Sequence, residues 1–121
     1  MKKLFAGLVG VLMVSGIAVS AAGAPEREAA AQDAAEIAAG EKVYAAQKCS
    51  MCHAIAGKGM KAYPLDGVGT KLSAADIKAW ILTPDVMVAK QTTKAKMKMK
   101  AYKLEGADLD NLVAYLASLK K

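Results

Sequence analysis

Both cysteines and the single histidine of this 121-residue chain fall inside five consecutive residues, Cys49-Ser50-Met51-Cys52-His53. Two thiols three positions apart can each bond one vinyl-derived carbon of a single porphyrin. A histidine directly after the second thiol then lies under the ring, where its imidazole nitrogen can bind iron. The spacing reads as the attachment signature for a c-type haem. A structural zinc site asks for four nitrogen or sulfur ligands, usually as two separated pairs, and the chain has no second pair and no distant histidine. A redox dithiol of the thioredoxin kind asks for a strand ahead of it, whereas the segment before Cys49 reads as helix. A disulfide across so short a loop would remove little unfolded-state entropy and make a weak staple.

Iron held by His53 on one face has a second face to fill, and a buried thioether favours ferrous iron there. Two of the seven methionines belong to the apolar start of the chain. Met51 lies within the attachment loop, and Met60 follows His53 too closely to leave its side. Met97 and Met99 are far enough along for the backbone to wrap to the opposite face, and in extended chain both would point the same way. Met99 ranks first and Met97 second, ahead of Met87 or an open position. The expectation for the other methionines is core filling.

The elements that must position these groups read as all-α. A helix from about Ala34 to Lys48 carries Ile37, Gly40, Val43 and Tyr44 on one face. Gly40 in mid-helix costs around 1 kcal/mol relative to Ala, which fits either close approach by another helix or a tolerated glycine. A glycine- and proline-containing loop follows, with Gly57, Gly59, Pro64, Gly67 and Gly69. Ser73 caps a second helix whose face is Ile77, Trp80 and Ile81, and Thr83-Pro84 ends it. Residues 86–104 show no clear period. A last helix from about Ala107 to Leu119 has a stripe of Leu109, Leu112, Val113, Leu116 and Leu119.

Residues 1–22 have the layout of a secretory signal peptide: Lys2 and Lys3, an apolar run to Val19, then small residues. Cleavage after Ala22 is preferred to cleavage after Ala24, because Pro25 directly after the cut constrains the backbone a peptidase must grip. The apolar run is short for a membrane span of about 20 residues, so membrane contact is expected only through partners or an uncleaved leader. Residues 23–33 read as a flexible tail and 34–121 as one domain. At that size the core is small, and a covalent porphyrin would form part of it. Removing Lys2 and Lys3 lowers the formal charge of +6 to about +4. Lys90, Lys94, Lys96, Lys98, Lys100 and Lys103 share a window without an acidic residue, able to steer an acidic partner or to serve as a solvated surface. An exported protein with little aromatic interleaving is not expected to bind nucleic acid. With its one histidine committed to iron, the chain has no nucleophile–base pair and is not expected to be an enzyme.

From Gly40 onward the chain resembles the small monohaem cytochromes c of class I. Gly40-Glu41-Lys42-Val43-Tyr44 with Cys49-Ser50-Met51-Cys52-His53-Ala54-Ile55 looks like the first helix and attachment site, and Leu112-Val113-Ala114-Tyr115-Leu116 like the partner helix. The resemblance implies a cytochrome c fold, three principal helices and long loops around one covalent haem c. Tyr63-Pro64-Leu65 resembles the loop whose proline carbonyl accepts a hydrogen bond from the axial imidazole, which would give Pro64 that role. Met99-Lys100-Ala101-Tyr102 resembles the methionine-ligand loop and favours Met99, with Tyr102 in the haem surroundings. Trp80 would sit near a haem propionate. Two departures stand out: Tyr63 occupies a position where glycine is common, and Lys98 and Lys100 flank Met99 where proline often stands. The implied function is single-electron transfer by a monomeric periplasmic carrier docking redox proteins at a lysine-rich edge. The alternatives are a haem subunit of a larger dehydrogenase or oxidase and a ligand-binding haem protein whose methionine leaves easily.

Overall fold

The computed structural model describes residues 24–93 and 95–121, with side chains from Asp33 onward. The leader read over residues 1–22 lies outside the described residues. Helix α1 spans Ala24–Ala46 and so begins about ten residues before the predicted start, inside the stretch read as tail. That stretch has no apolar face, and the high helix propensity of its Ala, Glu and Gln residues accounts for the extension. The helix stops two residues short of its predicted end, and Lys48 adopts a left-handed backbone (φ 56°, ψ 36°) that redirects the chain into a single 3-10 turn, Cys49–Met51.

A small sheet that the periodicity did not predict follows the attachment turn. Strands β1 (His53–Ile55), β2 (Lys58–Gly59) and β3 (Tyr63–Pro64) lie in the order β2-β1-β3. The first pair is antiparallel, and β3 runs parallel to β1 with His53 opposite Tyr63 and Ala54 opposite Pro64. The chain returns at Ala56 and Gly57 (φ 51° and 78°), and Gly59 lets β2 lie close against β1. The Gly59 φ of +106° suits glycine, and a Cβ there would run into the His53 carbonyl.

The short helix α2 (Val68–Lys71) leads into α3 (Ala74–Leu82). Ser73 caps α3 as expected, its hydroxyl accepting the Asp76 N–H at 3.1 Å. Pro84 ends α3 but also occupies the first turn of α4 (Pro84–Ala89), where a missing N–H costs nothing. This helix was not anticipated. The described residues therefore form five helices, where three principal ones were expected. The last, α5 (Gly106–Ser118), buries Leu109, Leu112, Val113 and Leu116.

These side chains join Tyr44, Ile77 and Ile81 in one core. Helices α1 and α5 cross at Gly40, where an added Cβ would overlap the Asn111 carbonyl and come within 2.6 Å of Tyr115 Cβ. Of the two readings of Gly40, close helix approach is the one found. Tyr44 and Tyr115 meet edge to face nearby, with ring centroids 5.8 Å apart, a favoured aromatic geometry. Gly40→Ala is expected to lower stability by about 1–3 kcal/mol through overpacking, despite the better helix propensity of alanine. Chemical denaturation checks this, and an unchanged or higher midpoint would contradict the close crossing.

Candidate haem and iron site

Below the crossing of α1 and α5 the fold leaves a cavity of about 570 Å³, within the range of ligand pockets, about 300–1,000 Å³. Its walls are largely apolar, with Leu65, Val68, Ile77, Ile81 and Leu112 among them. Cys49, Cys52 and His53 line it from the attachment turn, and Met97 and Met99 from the loop before α5. The thiols are free, Cys49 half-buried and Cys52 exposed. Burial pushes the Cys49 thiol above its ordinary value, and its own backbone hydrogen bond and Lys100 oppose this.

His53 is held by one bond to backbone. Its Nδ1 lies 2.8 Å from the Tyr63 carbonyl. A carbonyl only accepts, so Nδ1 carries the proton and Nε2 keeps the lone pair a metal needs. The family resemblance assigned this contact to the Pro64 carbonyl, and here the structure corrects the expectation. The parallel register sets Tyr63 opposite His53 and moves Pro64 one step on, opposite Ala54. Pro64 is exposed and is not among the residues lining the cavity. Tyr44 donates its hydroxyl to the His53 carbonyl at 3.5 Å, tying α1 to β1. Burial, with Cys49 as the next cause, pushes the Tyr44 phenol up to about 12, so it remains a neutral donor.

The other singled-out residues separate clearly. Trp80 and Tyr102 both line the cavity. Burial raises the Tyr102 phenol first, then the charges of the two thiols, a contribution a thioether would not make. Lys100 Nζ lies 4.9 Å above the Tyr102 ring, a cation–π distance. Met87 is buried at 9% exposure within α4 and is not a lining residue, and Met60 also lies off the cavity. Met99 is half-buried, whereas Met97 is 46% exposed.

Sequence reasoning missed four contributors. Val88 reaches the cavity from α4, and the helix-starting habit of Pro84 was the available signal. Gln47 and Lys48 line it from the end of α1. Tyr63 contributes its carbonyl to His53, and its hydroxyl accepts the Met97 N–H at 3.2 Å. Among the described residues no three His, Cys, Asp or Glu side chains gather to hold a metal ion, and no helix is long and apolar enough to cross a membrane.

The residues fit a haem in chemistry and space: two thiols and an imidazole on one segment, thioethers on a second segment lining the same cavity, and largely apolar walls. Comparison with protein families gives the same answer, matching residues 37–120 to the Cytochrome c family. The match spans well over half of the chain, which therefore belongs to the cytochrome c family. Comparison with curated proteins and with solved structures gave no match. Membership makes this a haem-based electron-transfer cytochrome, with Cys49 and Cys52 the only thiols able to carry the covalent haem c of that family.

A porphyrin that completes the core should be required for much of the fold. The Cys49→Ala, Cys52→Ala double variant is expected to lose most of its far-ultraviolet helix signal. A fully helical, cooperatively melting variant would show that the polypeptide packs without it.

Proposed function

We propose that the protein is a periplasmic, monomeric carrier with a single haem, moving one electron at a time between redox proteins through an iron ligated by His53 and Met99. The observation that carries this reading is the convergence of Cys49, Cys52, His53 and Met99 on one apolar cavity. When bound, the haem supplies an iron couple that accepts and releases single electrons. Cys49 and Cys52 would tether it through thioethers, and the proton on Nδ1 of His53 holds the free Nε2 in its ligating tautomer. The Met99 thioether would close the opposite face and favour the ferrous state, leaving no open position for a substrate. Its partial burial favours it over the more exposed Met97. The apolar walls disfavour the extra charge of ferric iron and so support a higher potential.

The same loop carries the docking charge. Lys96, Lys98, Lys100 and Lys103 are exposed, and Lys98 and Lys100 reach the cavity. Their placement supports steering of acidic partners to this mouth. Export to the periplasm rests on the leader pattern and on the need to keep both thiols available for attachment.

Two experiments test the reading. In the ferric holoprotein, Met99→Ala should abolish the sulfur-to-iron charge-transfer band and lower the reduction potential, while Met97→Ala should retain the band. The reverse result would move the ligand to Met97. Reduction of the ferric protein by ferrocyanide should slow as ionic strength rises. A Lys98→Glu, Lys100→Glu variant should react about tenfold more slowly at low salt, with the gap closing at high salt. A salt-independent rate, equal in both proteins, would remove the steering role.

A further inference from the structure

The loop between α4 and α5 brings Met99 to the cavity, although residues 90–105 contain no helix or strand among the described residues. Among the described residues, two hydrogen bonds fasten the stretch around Met99. At one end the Met97 N–H donates to the Tyr63 hydroxyl at 3.2 Å. At the other the Tyr102 N–H donates to the Ile81 carbonyl at 2.9 Å. Met99 lies midway between these points, and among the described residues no backbone hydrogen bond holds residues 98–101 themselves. The second fastening is backbone to backbone, whereas the first depends on one side-chain oxygen.

That oxygen belongs to the residue whose carbonyl also receives His53 Nδ1 at 2.8 Å. The Tyr63 ring further stands edge-on to the imidazole, with centroids 6.5 Å apart. Tyr63 thus touches both segments that bring candidate iron ligands to the cavity. We infer that Tyr63 is a positioning residue for the methionine loop: its hydroxyl grips the Met97 amide so that Met99 is presented across from the imidazole its own carbonyl orients. This deepens the His53/Met99 reading and rests on it. A glycine at position 63 could supply the carbonyl but not the grip. With no proline beside Met99 to stiffen the loop, the phenol takes over that task.

The brace acts on an equilibrium. A loop that swings away exposes the sixth position, and the affinity of an added ligand scales with the fraction of open molecules. Losing this one exposed hydrogen bond should raise that fraction about two- to fivefold. Tyr63→Phe removes only the oxygen and leaves the bond from His53 to the backbone. In the ferric holoprotein it should therefore bind imidazole about two- to fivefold more tightly, with the charge-transfer band lost at correspondingly lower imidazole concentration. The same substitution in a Met99→Ala background should change imidazole affinity little, because no ligand remains for the brace to hold.

Unchanged affinity in Tyr63→Phe, or an equal gain in both backgrounds, would overturn the inference. Amide hydrogen exchange of the unaltered holoprotein gives a readout independent of any variant. The Met97 amide should exchange several-fold more slowly than that of Lys98, and exchange at the unprotected rate would remove the brace outright. If instead Met99→Ala keeps the band, the ligand assignment fails, while the Met97 amide still decides whether Tyr63 holds the loop.

Discussion

The hydrogen bond from His53 Nδ1 to the Tyr63 carbonyl is the contact on which the site depends. It fixes which imidazole nitrogen carries the proton and therefore which one is free to act as a ligand. The bond exists because β3 lies parallel to β1, in a register that sets Tyr63 beside His53. Strand β2 flanks β1 on the other side, so close at Gly59 that a side chain there would strike the His53 carbonyl. A three-stranded sheet of only seven residues is too small to stabilise the molecule by itself. Its service is to aim one ring.

The electrostatics around that ring divide into a dry interior and a wet rim. Tyr44 is buried and neutral, and raises no charge against the cavity. The loop cations stay solvent-exposed even where, at Lys98 and Lys100, they reach the cavity. Such an arrangement keeps the cost of burying charge low while leaving a long-range field at the opening. The proposed carrier role draws on both, with the buried environment tuning the potential and the rim proposed to steer partners.

Much of this was legible from the residues. The Cys-x-x-Cys-His spacing marks its chemistry directly, the stripe from Leu109 to Leu116 announces α5, and Ser73 with Asp76 announces the start of α3. Each is a local signal with a local cause. What stayed hidden depends on register or on contact across the chain. Whether position 63 or 64 faces the imidazole is a one-residue shift in strand pairing, which no periodicity in so short a segment can report. Helix α4 escaped because Pro84 marks an end and a beginning alike. The early start of α1 escaped because propensity without an apolar stripe was read as fraying.

The crossing at Gly40 and Asn111 joins parts of the chain separated by roughly 70 residues. The intervening stretch must be drawn into a closed loop before that contact repays its entropy, and such long-range topology slows folding relative to a bundle of sequential helices. The cavity is walled by residues from α1, α3 and α5, so it cannot be assembled until that closure occurs. The walls therefore come together only as the two distant helices dock, so closure of this long loop and completion of the site are one event.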